Sequence, residues 1–291
     1  MLDFPSLYQY SRESHLFLDR HRRSSVNTFP DSSFLTVRAD GYFQYRDLHF
    51  IYYRRTIIIL YVNGDSHTAA AEAVNAHAFA EDDPNYNYLG RLPHPANLAA
   101  SWGRILADRI KAGFHCDAES AASNTRIMRT TRQWLLDNPA AYRDSLVIIQ
   151  WSTWERQEWL IDGEYFQVNA SGVDVVPESH QQQYKEYITN IDYGKTVVDA
   201  HEDIWNFHQS LNLLGVKHIF FNGNSSFQGM QSQKDWGTSY IKPYDAAGTY
   251  HGWLRNNDFE TVSKNSWHFG KEAHSAWARY VLQYIVANKL I

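Results

Sequence analysis

Cysteine is almost missing from this sequence: Cys116 is the single one in 291 residues. An internal disulfide and a thiolate metal site are thereby excluded, and the usage fits a reducing compartment. Neither sign of charge dominates, with 27 Lys+Arg against 32 Asp+Glu and a net charge of -5. A general electrostatic footprint for nucleic acid or an anionic membrane is therefore absent. Long apolar runs are lacking too. The longest, Thr56 to Val62, is far too short to cross a bilayer and sits too deep in the chain to be a leader. No Walker A sequence, dinucleotide glycine fingerprint or internal repeat occurs, which disfavours nucleotide-dependent chemistry and repeat architectures.

What remains is the composition of a soluble globular protein with many rings, 44% hydrophobic, 20% charged and 15% aromatic. Such a chain is long enough to bury a substantial core. Residues 1–55 differ from the rest: all their basic residues are Arg, the first lysine being Lys111, and no sustained helical or strand period appears. They read as an N-terminal extension, or as sequence upstream of the true start. A cytoplasmic or otherwise intracellular location is expected.

From residue 56 short aliphatic strands alternate with amphipathic helices, the pattern of an α/β domain with a mainly parallel sheet. Strands are expected at 57–62, 114–118, 146–151 and 216–221. Helices are expected at 68–80, around 98–111, from a cap at Ser123 or Asn124, over 181–214 and over 271–287. Residues 152–180 read as a polar aromatic loop. Arg126, Arg129 and Arg132, spaced by three, read as a solvated helix face. The acidic group Glu81-Asp82-Asp83 reads as a solvated loop without the ligand spacing of a calcium site.

Ligands of an open parallel sheet gather at the carboxyl ends of its strands, where loops converge and helix N-termini offer N–H groups. The segments there are Gly64-Asp65-Ser66-His67-Thr68, the turn Ala121-Ala122-Ser123-Asn124, Trp151-Ser152-Thr153 and Asn222-Gly223-Asn224. Ser66, on a sharp turn after the first strand, is a plausible nucleophile. It needs a base, and His268, just before the last helix, can arrive over the same sheet edge.

The joint pattern resembles the SGNH (GDSL-like) hydrolase family, in which Gly-Asp-Ser follows the first strand and a histidine precedes the last helix. The resemblance covers residues 56–291 and is carried by Gly64-Asp65-Ser66, by the turn at 121–124, and by Trp267-His268-Phe269-Gly270. It implies a three-layer α/β/α sandwich with a mainly parallel, flavodoxin-like sheet, and a serine esterase with no cofactor and no metal. Ser66 would be nucleophile and His268 general base. The N–H groups of Ser66 and of the 121–123 turn, including Ala122 and Ser123, would be oxyanion donors. Asp65, Asn124, Trp151 and Thr153 would complete the substrate side.

Three positions depart from the family pattern. Asn265 stands where an acid three residues before the histidine is usual, so Asp258, a backbone carbonyl or no acid at all would orient His268. Ala121 and Ala122 replace a glycine, and Trp151-Ser152-Thr153 stands where an asparagine is usual; Asn124 or Thr153 would then donate in its place. The expected substrates are small or carbohydrate O-acyl esters; rings such as Trp151, Trp154, Trp159, Trp236, Tyr240, Tyr244, Tyr250 and Trp253 could offer a sugar platform, or else pack the core and the long loops. Two alternatives stay open: a binding protein with a dead site on the same scaffold, and a metallophosphoesterase holding metal through Asp65 and His67.

Overall fold

The computed structural model describes residues 59–74, 92–170 and 176–291. The expected extension at 1–55, the acidic group at 81–83 and residues 75–80 of the expected helix lie outside them. The strands are β1 (Ile59–Asn63), β2 (Gly113–Cys116), β3 (Ser145–Trp151), β4 (Gln157–Ile161), β5 (Glu164–Val168) and β6 (Lys217–Asn222). The helices are α1 (Pro95–Ala99), α2 (Trp102–Ile110), α3 (Asn124–Asp137), α4 (Ala141–Asp144), α5 (Gln181–Thr189), α6 (Tyr193–Leu213), α7 (Tyr250–Asn256) and α8 (Lys271–Ala287).

Four strands pair in the order β2-β1-β3-β6, and every pair is parallel. Alternate side chains feed opposite faces, as the two-residue period of a strand requires. Leu60, Val62, Leu146, Ile148, Ile219 and Phe221 enter one core with α2 and α8. Tyr61, Val147, Ile149, Trp151 and Phe220 enter the other with α3 and α6. The result is a three-layer α/β/α sandwich. From β1 the chain first adds β2 on one side and then returns to add β3 on the other, so the strand order reverses between β1 and β3. In open parallel sheets ligands gather at the carboxyl ends flanking such a reversal, and the loops carrying Ser66 and Ser152 leave β1 and β3 there.

Three expected elements differ. No helix begins at residue 68: Ala71 N–H reaches back to Ser66 O at 2.9 Å, and Ala73 N–H to Ala70 O at 3.0 Å. Ala70 and Glu72 take left-handed φ of 57° and 61°, which ends any helix despite the alanine-rich sequence. The expected loop at 152–180 contains the antiparallel hairpin β4–β5, paired from Gln157↔Val168 to Ile161↔Glu164. The expected helix at 181–214 is two helices, because Asp192 adopts an extended conformation and caps α6 by accepting from Lys195 N–H at 3.0 Å. The arginine face is not simply solvated either. Arg126 is buried against Glu119 at 2.7 Å, and Arg129 forms a fork with Glu158 at 2.6 and 2.8 Å.

Candidate active site

Residues 64–68 turn tightly because Gln150, a buried amide at the end of β3, binds them from below. Its Oε1 accepts from Asp65 N–H at 3.2 Å and from Thr68 Oγ1 at 3.0 Å, while its Nε2 donates to Trp151 O at 3.0 Å. Gly64 permits this approach: a Cβ there would lie 2.6 Å from Thr68 Oγ1 and 2.7 Å from Gln150 Oε1.

Asp65 is buried and fully engaged. Its Oδ1 accepts from His67 N–H at 3.0 Å, and its Oδ2 from Ser152 Oγ at 2.9 Å and Arg156 Nη1 at 3.1 Å. Burial pushes this carboxyl up, but the charges of His67 and Arg156 and the two hydrogen bonds outweigh it and hold the group below the ordinary aspartate value. Asp65 thus anchors the turn. The cation already at its Oδ2 is a guanidinium, and no group of three or more His, Cys, Asp or Glu side chains among the described residues has a metal-holding arrangement. The donor set does not suit a metal held by Asp65 and His67.

Ser66 is 8% exposed. Its Oγ and its N–H have no hydrogen-bond partner among the described residues. The loop before α8 brings His268 to the same end of the sheet. Its ring stands edge-on to His67, the neighbour of Ser66, with centroids 5.5 Å apart. His268 Nδ1 lies 2.7 Å from Glu72 Oε2, which also accepts from Ser266 Oγ; the same hydroxyl accepts from His268 N–H at 2.9 Å. The His268 hydrogen bond, opposed by partial burial and helped by Ser266, holds the Glu72 carboxyl below its usual value. His268 Nε2 has no partner among the described residues, and no direct hydrogen bond joins it to Ser66 Oγ. Such bonds are often long in the absence of substrate.

Neither residue expected to orient His268 touches it. Asp258 is exposed at a left-handed φ of 62°, and Asn265 is exposed on the loop. Glu72, which sequence reasoning placed inside a helix, is the carboxylate that meets the imidazole.

The second turn lies beside the first, Glu119 N–H donating to Gly64 O at 3.1 Å. Several expected oxyanion donors are already spent. Ala122 N–H donates to Glu119 O at 3.0 Å and Ser123 N–H to Gln167 Oε1 at 2.9 Å. Ser123 Oγ caps α3. Asn124 Oδ1 accepts from Ser152 N–H at 2.8 Å, its Nδ2 faces Ser152 O at 3.4 Å, and Thr153 Oγ1 donates to Glu155 at 2.8 Å. Among the described residues, the N–H groups of Ser66, Ser120 and Ala121 remain unpartnered. Ala121 has φ of 64°, the conformation for which a glycine is suited.

The rings do not form the expected platform. Trp151 is wholly buried, with Phe220 edge-on at 5.0 Å, and Trp236, Tyr240 and Tyr250 are also buried. Trp154 stacks on Phe227 at 4.5 Å and Trp253 on Tyr280 at 4.8 Å. Trp159 meets Tyr187 edge-on at 6.0 Å, and the Tyr244 hydroxyl binds Trp236 Nε1 at 3.0 Å. The exposed ring at the site is Trp267, next to His268, and it is 66% exposed. Beneath the site, burial pushes His67 down to about 4 and His274 down to about 3, so both rings are neutral at pH 7. His274 Nδ1 accepts from Trp102 N–H at 3.3 Å, and the Tyr250 hydroxyl lies 3.4 Å from its Nε2.

Residues 91–212 match a family of unknown function (DUF6071), a stretch that contains neither Ser66 nor His268. No curated protein matches the chain. Among solved structures, the psychrotrophic esterase EstA from Pseudoalteromonas sp. is 10% identical, with a TM-score of 0.37 over 79% of this chain and 97% of that one. A carbohydrate esterase whose active site is described as having divergent catalytic and non-catalytic binding functions is 14% identical, with a TM-score of 0.39 over 79% and 68%. A putative lipolytic protein of the G-D-S-L family from Desulfitobacterium hafniense is 12% identical, with a TM-score of 0.33 over 80% and 99%.

Proposed function

We propose that this chain is a serine-dependent ester hydrolase with Ser66 as nucleophile and His268 as general base. The observation that supports this most is the state of the two groups. Among the described residues Ser66 Oγ has no partner, and the His268 imidazole beside its neighbour His67 has Nδ1 on a carboxylate and no partner at Nε2. In that tautomer Nε2 is the basic nitrogen. His268 takes the Ser66 proton as Oγ attacks the ester carbonyl, and the unpartnered N–H groups of the Ser66 and 120–121 turns stabilise the oxyanion. The imidazolium then protonates the departing alcohol. Water, deprotonated by His268, then attacks the acyl carbon; the bond to Ser66 Oγ breaks, His268 returns the proton to that oxygen, and the carboxylic acid is released.

Hydrolysis of p-nitrophenyl acetate and butyrate tests this reading. Wild type is expected to be active with or without chelator, and Ser66→Ala and His268→Ala are each expected to lose at least about 1000-fold in kcat. Activity that survives in Ser66→Ala, or that chelator removes, would sink the proposal.

For the substrate class we propose small or carbohydrate O-acyl esters. The exposed Trp267 ring supports a sugar, whose apolar face stacks on such a surface. Trp267→Ala should raise KM for an acetylated saccharide and leave p-nitrophenyl acetate nearly unchanged; equal effects on both would remove the sugar.

A further inference from the structure

We infer that Glu72 is the acid that positions His268, supplied from the nucleophile's own turn rather than from the loop that carries the histidine. The inference rests on the esterase reading above and goes beyond it, since a Ser66–His268 dyad needs no third residue and the acid expected near His268 is absent. Three observations carry it. Glu72 Oε2 lies 2.7 Å from His268 Nδ1, the nitrogen that must carry the proton if Nε2 is to act as base. Ser266 ties both partners together, donating to Glu72 Oε2 and accepting from the His268 N–H. Glu72 also keeps a left-handed φ of 61°, costly for a residue with a Cβ and expected where surrounding contacts impose it.

The arrangement has a consequence for assembly. Because Glu72 follows Ser66 by six residues, one turn sets the place of both nucleophile and acid, and the loop before α8 has only to deliver the imidazole between them. Asn265 and Asp258, both exposed, are then dispensable for orientation. The other titratable groups around the pair are His67, on the same turn as Glu72, and His274 of α8, both acting on His268, while His251 of α7, Asp65 and Arg156 act on His67.

The test is Glu72→Gln, Glu72→Asp and Asp258→Asn in the full chain, with kcat and KM on p-nitrophenyl acetate and the His268 tautomer read from its ring nitrogen shifts by NMR, assigned with His268→Gln. Glu72→Gln is expected to lower kcat by about 100-fold or more with KM within about threefold, and to shift the neutral His268 ring toward the Nε2–H tautomer. Glu72→Asp should recover part of both. If Glu72→Gln does not fold, Ser266→Ala carries the same test with a smaller loss in the same direction.

A Glu72→Gln enzyme with unchanged kcat or an unchanged His268 tautomer would overturn the assignment, as would a larger loss in Asp258→Asn. Absence of Ser66-dependent hydrolysis in wild type would overturn it through the esterase reading itself. That failure is recognisable because the His268 tautomer would still respond to Glu72→Gln.

Discussion

Asp65 lies between Ser66 and the body of the sheet, and what it holds is decided by charge rather than shape. A carboxylate this deeply buried is tolerable because Arg156, Ser152 and the His67 N–H surround it, and Arg156 supplies the one permanent positive charge among them. Arg156→Met should therefore destabilise the protein by about 2–4 kcal/mol, because it leaves the Asp65 charge buried without its cation. Urea unfolding at pH 7.5 checks this. A loss under about 0.5 kcal/mol would mean that water takes the place of the guanidinium. The same variant should lower activity even where the protein is folded, since the turn bearing Ser66 hangs on Asp65.

At the scale of elements, two kinds of contribution are separable. Asp192 is an exposed cap that starts α6 after a break in the helical run, and Asp192→Ala should cost about 1 kcal/mol, read as a small shift in the urea midpoint. Ile148 sits at the centre of β3 with no exposure, packed between sheet and helices, and Ile148→Ala should cost about 2–5 kcal/mol. The ranking is the prediction. Near-equal losses would contradict a core built on the alternation of β3. The hairpin β4–β5 belongs to this scale as well. It packs Trp159, Phe166, Val168 and Tyr184 into a satellite cluster, and through Gln167 and Glu158 it binds the turn at Ser123 and the helix at Arg129.

For the whole molecule, the buried histidines set a pH limit. Burial lowers His67 and His218 to about 4 and His274 to about 3, against 6.5 for a free side chain. Between pH 6.5 and those values the unfolded chain binds protons that the folded chain refuses, so stability rises with pH across that window and falls as the solution is acidified. Each group contributes a slope of at most about 1.4 kcal/mol per pH unit, and the loss levels off below the folded values. Glu72 and Asp65, both held low, add losses of the same sign in the acidic range. Urea midpoints at pH 7.5, 6 and 5 should therefore decrease in that order. A flat profile would show that these rings are not buried in neutral form.

The layer architecture was legible in the sequence because aliphatic runs at 57–62, 146–151 and 216–221 are too short for helices and too continuous for half-exposed strands, which leaves a sheet covered on both faces. Gly64-Asp65-Ser66 and His268 were legible as candidates because both flank core elements at the end of the sheet where loops converge. Glu72 was not. Its surroundings are alanine-rich and favour helix locally, and only the left-handed turn at Ala70 and Glu72, imposed by packing, swings the carboxylate to a partner 196 residues away. The tryptophans and tyrosines left two readings open for a related reason: composition reports how many rings exist, whereas burial decides which of them are core. Composition and periodicity are local properties, and they determined the layers and the strand ends of this protein. Which donors are spent, which rings are covered and which acid meets the histidine depend on contacts between distant segments, and those only the tertiary structure decided.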